Sequence, residues 1–259
     1  MHDLTFYRSK ENKAITNSKI GDFLKSPDYY KAKWIDGTVT EEPTPAMLLG
    51  SMVDVAVSAG DVNEIYRNYS AKEKGKDPGE KTVVSAAAYE DAQAIAKNII
   101  AQPFYKAMRK SKCIWQKPLY APADAELVVA GIPDAYCAKA RWDGGSPALI
   151  DLKVTAPMHF ASGNKWLWRC RDMRYLQQLA LYRHLVASEL GVDAEEISCW
   201  HVVAGSTFDG KWPVKLFKFD RACIDKAFEE VIGCAHKLFY AKEFKKESVT
   251  WSKAEVIGT

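Results

Sequence analysis

Three short stretches decide how this chain reads: Gly131-Ile132-Pro133-Asp134, then Leu149-Ile150-Asp151-Leu152-Lys153, then Gln178-Leu179-Ala180-Leu181-Tyr182. Asp134 closes an apolar run that holds Leu127, Val128, Val129, Ala130 and Ile132, and Asp151 closes Ala148-Leu149-Ile150. Both runs read as buried strands, and Gly144-Gly145 between them reads as a hairpin turn. Neighbouring antiparallel strands then bring the two carboxylates together. Strand side chains alternate faces, so Asp151 and Lys153 point the same way. An acid in an apolar run is costly to bury without a partner. A shared divalent cation supplies one, and the backbone carbonyl of Leu152 offers it a further oxygen. A lysine beside such a cation orients or activates an attacking water, as metal-assisted hydrolysis requires. Gln178 and Tyr182 are four apart and share a helix face with Tyr175. Gln178 then braces Lys153 or a phosphate with Tyr182 in support, or the tyrosines are packing residues and Gln178 is solvated. Asp134, Asp151 and Lys153 likewise have a plainer reading, as a solvated strand end and a surface ion pair.

Outward from this centre the pattern is helical on the N-terminal side. Residues 15–34 read as a helix with Thr16, Asn17 and Ser18 as caps and a break at Pro27, and residues 41–45 read as a loop. Residues 46–59 form a second helix closed by Gly60, with Asp54 on its polar side. Residues 72–81 are charged and contain Gly75, Pro78 and Gly79, which marks a mobile loop. Ser85 caps a helix to Ala101, and Pro103 separates it from a shorter one ending at Arg109. Strands are predicted over 113–119, 126–139, 148–154, 197–204 and 214–219, and helices over 171–190 and 221–240. This order predicts an α/β (α+β) chain with a central mixed β-sheet flanked by helices. A single domain over 1–259 is expected, mainly helical over 1–110 and sheet-containing over 111–259.

The composition is that of an ordinary globular protein, and a net charge of +3 permits a nucleic-acid partner without arguing for one. No apolar run is long enough for a membrane span, and Met1-His2-Asp3-Leu4 does not open a secretory signal. Six scattered cysteines without a Cys-x-x-Cys pair suit reduced thiols in the cytoplasm and argue against zinc or an iron–sulfur cluster. The five histidines form no pair at metal-ligand spacing. Two basic clusters stand out. Lys106, Arg109, Lys110, Lys112 and Lys117 occur with no acid among them, and Lys165, Arg169, Arg171 and Arg174 interleave with Trp166, Trp168 and Tyr175. The second cluster reads either as a DNA contact, with phosphates neutralised and bases stacked, or as a solvated helix face.

Together these motifs resemble the PD-(D/E)XK nuclease superfamily, and within it the RecE-like exodeoxyribonucleases and RecB-type nuclease domains of bacteria and phages. Residues 15–19 through Ser26-Pro27-Asp28-Tyr29-Tyr30 look like the family's opening helix and its Ser-Pro-x-x-Tyr turn. Leu49-Gly50-Ser51-Met52-Val53-Asp54 looks like its Gly-(Ser/Thr)-x-x-His helix, and Gly131 to Asp134, Asp151 to Thr155 and Gln178 to Tyr182 look like its three later motifs. The resemblance implies Mg2+ or Mn2+ held by Asp134, Asp151 and the Leu152 carbonyl, with Lys153 and Gln178 catalytic and Tyr182 supporting. It implies double-stranded DNA ends as substrate, and a homo-oligomer and a single-strand annealing protein as partners. Asp54 stands where the family usually has histidine, and serves as a third ligand if it joins the site. No acid occurs in Lys110 to Trp115, where many relatives carry a glutamate. The resemblance therefore leaves three outcomes open: an active exonuclease, a sequence-specific endonuclease, or a weakly catalytic DNA-binding or assembly protein.

Overall fold

Helix α1 (Asn17–Lys25) begins where the sequence offers a cap, with the Thr16 hydroxyl accepting the Lys19 N–H. The computed structural model that shows this describes residues 7, 13–60, 62, 66–69, 82–205 and 212–243. Ser26 ends α1 and caps α2 (Pro27–Tyr30), its hydroxyl accepting the Tyr29 N–H. Pro27 takes the first helical position, where its missing N–H costs nothing. A π-turn over Lys31–Ile35 follows, so the helix expected over 15–34 is three pieces. Helix α3 (Pro45–Ala59) is capped by Thr44 and stops at Gly60, whose φ of 85° is left-handed backbone that favours glycine.

Strands β1 (Tyr66–Tyr69) and β2 (Thr82–Ser85) form a parallel pair that the sequence reading did not expect. The loop expected over 72–81 lies outside the described residues. Ser85 then caps α4 (Ala86–Ala101) and Pro103 opens α5 (Pro103–Lys110), as the caps predicted.

Two of the expected strands divide. Residues 113–119 become β3 (Ile114–Trp115) and the start of β4 (Leu119–Pro122), parted at Gln116 with its φ of 45°. Residues 126–139 become β5 (Val128–Gly131) and β6 (Ala135–Cys137), parted at Pro133, which has no N–H to give a ladder. β4 and β5 pair with each other, and β5 also bridges to Ile15 through Val129, while β3 and β6 join β7 (Ala148–Thr155), β8 (Ser198–Gly205) and β9 (Val214–Lys218) in the order β3-β6-β7-β8-β9. In this five-stranded mixed sheet β7 and β8 are parallel and the other pairs antiparallel.

The connection from β7 to β8 carries α6 (Gly163–Asp172) and α7 (Tyr175–Leu190). The single helix expected over 171–190 is thus the end of one helix and the whole of another. They break at Arg174, whose φ of 57° no α-helix continues through. Helix α8 (Arg221–Glu243) closes the described chain.

Helices cover both faces of the sheet. Leu149, Cys199 and Val203 pack on one side with Leu179 and Leu185 of α7 and Val231 and Leu238 of α8. Ile150, Leu152, Val202 and Ala204 pack on the other with Met52 and Val53 of α3 and Ala92 and Ile95 of α4. Each such side chain contributes about 1.5–3 kcal/mol on burial. Among the described residues no helix is long and apolar enough to cross a membrane, and all six cysteines are free of disulfides.

Candidate active site

Asp151 lies in the middle of β7, which runs on to Thr155, so the expectation that it closes its strand is corrected. Alternation turns Ile150 and Leu152 toward α3 and α4, and Asp151 and Lys153 toward α6 and α7. The Asp151 side chain is only 1% exposed, and its Oδ2 lies 2.5 Å from Lys153 Nζ. Burial works to raise the Asp151 carboxyl, but Lys153 and His201 outweigh it and hold it well below the usual carboxylate range. Burial works to lower the Lys153 ammonium, and Asp151, Asp134 and Asp54 outweigh it and hold it above the usual lysine value.

Asp134 sits in the bend between β5 and β6, not inside a strand as expected. The β6–β7 ladder ends at Ala135 opposite Ile150, and the Asp134 carboxylate takes up the next N–H of β7, with Oδ2 accepting from Leu152 at 2.7 Å. A side chain thus continues the ladder that Pro133 interrupts. Burial pushes the Asp134 carboxyl well up, and the like charges of Asp54 and Asp151 add to it against Lys153 and the Leu152 N–H. Asp54 reaches the same cluster from α3. Burial raises its carboxyl to about 7, with Lys153 opposing and Asp151 adding. Asp54, Asp134, Asp151 and Lys153 are therefore brought together.

The Gln178 expectation is met only in part. Its Nε2 donates to the Tyr182 hydroxyl at 3.0 Å, and it is the Tyr175 ring, 4.9 Å from Nζ, that faces Lys153. Tyr182 is buried against Gly131, where an added Cβ would sit 2.5 Å from the tyrosine ring. The glycine of one motif is the space the tyrosine of another fills.

Sequence reasoning missed His201. It is fully buried on β8, directly opposite Asp151 in the parallel register, with Nε2 3.2 Å from Asp151 Oδ2. Burial lowers its pKa, and Asp151 opposes that. The available signal was a polar residue inside the apolar run from Cys199 to Ala204, which the spacing of histidine pairs does not register.

The aromatic–basic cluster splits. Trp166 is 1% exposed and stacks on Phe217 at 5.9 Å, so it is core and not a platform for a base. Trp168 is 65% exposed with the Arg171 guanidinium 5.7 Å from its ring, and Lys165 is exposed nearby. Arg169 and Arg174 are half-buried, and Arg174 lines a groove of about 680 Å³ with Asn17, Ser18 and Trp34. In the first cluster Lys117 pairs with Glu189, an acid that sequence proximity could not reveal.

Among the described residues no group of three or more His, Cys, Asp and Glu closes into a metal cage. The donor set still suits a hard divalent cation. It consists of the carboxylate oxygens of Asp54, Asp134 and Asp151, and Mg2+ commonly takes one or two carboxylates and completes its shell with water and phosphate oxygens. Burial is the main cause that raises the carboxyls of Asp54 and Asp134, and a bound cation would offset that cost of burying their charge.

Comparison with known proteins bears on the family and the fold. The profile described as a PDDEXK-like domain of unknown function (DUF3799) matches residues 16–257, and the chain belongs to that family. No curated protein matches. Among solved structures, a candidate exonuclease from Eubacterium rectale superposes with a TM-score of 0.68 at 15% identity, over 99% of this chain and 97% of that one. An alkaline exonuclease from Laribacter hongkongensis gives a TM-score of 0.36 at 15% identity, over 90% of this chain and 91% of its own. The same exonuclease in complex with dAMP gives 0.41 at 14% identity, with the same coverage. The likeness to the first of these is one of fold.

Proposed function

We propose that this member of the PDDEXK-like family is a Mg2+- or Mn2+-dependent deoxyribonuclease, an exonuclease of the RecE-like kind that degrades DNA from double-stranded ends in recombination, repair or phage replication. The observation that carries the reading is the buried meeting of Asp151 and Lys153 on one face of β7 with Asp134, which bonds to the same strand from the bend before β6. A divalent cation, when bound, supplies Lewis-acid stabilisation of a phosphoryl oxygen and a more acidic water. Asp134, Asp151 and the Leu152 carbonyl hold it, with Asp54 as a further carboxylate. Lys153 donates hydrogen bonds to the attacking water or the phosphate and offsets charge that develops as the phosphodiester opens. Tyr175 lies against that ammonium and limits where it can point. Gln178 fixes the Tyr182 hydroxyl beside the carboxylates. Lys165, Arg169, Arg171 and Arg174 neutralise DNA phosphates, and the exposed Trp168 offers a stacking surface.

A second reading, a weakly catalytic DNA-binding or assembly protein, draws support from Asp54 in the place of the family's histidine and from the lack of an acid in Lys110 to Trp115. Digestion of end-labelled linear duplex beside a covalently closed circle separates the readings. The exonuclease shortens the linear DNA from its ends in Mg2+ or Mn2+, spares the circle, and stops on chelation. Intact linear DNA at saturating levels of either cation overturns it, and cutting of the circle turns the assignment to an endonuclease.

A further inference from the structure

The proposed nuclease centre uses Asp151 and Lys153 and leaves His201 without a role. His201 is nonetheless the most enclosed polar residue beside them. Its ring is boxed edge-on by Phe219 at 4.7 Å, Trp166 at 5.6 Å and Tyr175 at 6.3 Å between ring centroids. The Trp166 indole Nε1 donates to His201 Nδ1 at 3.2 Å, and the Cys170 thiol lies 3.7 Å from the same nitrogen. An indole N–H can only donate. Nδ1 must therefore accept and carry no proton, which places the proton of the neutral ring on Nε2. Nε2 is buried without a hydrogen bond among the described residues, and so is Asp151 Oδ2, which lies 3.2 Å from it. A buried N–H is seldom left unpaired, and this one faces Oδ2, the oxygen that also meets Lys153.

We propose that His201, set as its Nε2–H tautomer by Trp166, is a positioning residue that fixes the Asp151 carboxylate from below. Lys153 Nζ and His201 Nε2 both lie against Oδ2, at 2.5 and 3.2 Å, so rotation of the carboxylate about Cβ–Cγ would part it from both. Its orientation toward a cation is thereby set before the cation arrives. The device depends on the parallel pairing of β7 and β8, which puts residues 151 and 201 side by side. This rests on the proposed function only for the cation, because the tautomer can be read in the free protein.

The test has two arms, both on the full chain without DNA. Nitrogen-15 NMR of the histidine side chains should show His201 protonated at Nε2 and bare at Nδ1. A proton on Nδ1 overturns the proposal. Mn2+ binding, followed by the electron spin resonance of the free ion, should weaken about tenfold or more in His201→Phe, as expected when the outer partner of a ligand is lost. His201→Gln keeps a donor near the Nε2 position and should stay close to wild type. Equal affinity in the wild type and His201→Phe overturns the proposal, and so does equal loss in Phe and Gln when both melt like the wild type. Should His201→Phe not fold, the wild-type tautomer together with the Gln variant decides. A wild-type chain that takes up no Mn2+ overturns the cation reading under Proposed function, while the nitrogen spectrum still decides the tautomer on its own.

Discussion

On one face of β7 and β8, Ile150, Leu152, Val202 and Ala204 meet Met52, Val53, Ala92 and Ile95 in an apolar layer. On the other, Asp151, Lys153 and His201 interrupt a layer built from Leu149, Cys199 and Val203. The two faces come from the same residues' neighbours and are about equally dry, yet only one carries charge. A buried ion pair roughly breaks even with apolar residues of its own size, because the desolvation cost offsets the attraction. Stability therefore gives no reason to prefer the polar face, and its charges are better explained by chemistry done there.

The sharpest way to break this comparison is Lys153→Ala. It should cost at least about a hundredfold in kcat, the scale of losing one transition-state donor, and leave DNA binding by fluorescence anisotropy nearly unchanged. Undiminished turnover at saturating Mg2+ would return Lys153 to a structural ion pair. On the opposite face, Ile150→Ala should lower unfolding stability by about 2–5 kcal/mol in urea. Asp151→Asn combined with Lys153→Met, which removes both charges at similar volume, should lose less stability than Ile150→Ala while losing activity. The reverse ranking would make the polar face the structural one.

Asp54 reaches the polar cluster from the apolar side, through α3. Asp54→Ala should weaken the response to metal by roughly tenfold, within the range seen when groups at a metal site are removed, with partial recovery at high Mg2+ or Mn2+. Asp54→His should keep some activity and shift the preference toward Mn2+, since imidazole suits softer cations. Superimposable metal titrations of cleavage rate for the wild type and both variants would remove Asp54 from the site.

The smallest effect belongs to an ion pair far from these faces in character, Arg183 with Asp225 at 2.5 Å, whose carboxylate is half-exposed. The hydrogen bond from Arg183 is the main cause that holds the Asp225 carboxyl below its usual value. A depressed folded-state pKa gives stability that is present above the unfolded value of about 3.9 and lost as pH falls through the folded one. Asp225→Asn should thus lower stability near neutral pH by less than about 1 kcal/mol and flatten its decline in acid. A loss as large at pH 3 as at pH 7 would show that packing, and not charge, carries the contact.

Helix ends were the most legible part of the fold. Thr16, Ser85 and Gly60 act where they stand, because a cap is settled by residues three or four apart. Strand limits were less so. Pro133 and Gln116 each lie inside a β-prone run, and only the pairing shows that the chain changes sheets there. The break at Arg174 was hidden for a related reason, since arginine carries no turn signal and its left-handed backbone is imposed by the packing of α6 and α7.

In the site, the sequence alone determined that Asp151 and Lys153 share a face and that Gln178 and Tyr182 share another, because strand and helix periods are local geometry. Only the tertiary structure decided that His201 lies against Asp151, that Trp166 is core and not surface, and that Asp134 continues the β7 ladder. Those facts depend on the register of a parallel crossover and on where an antiparallel ladder stops. Both are fixed by contacts between residues far apart in the chain, which no local period encodes.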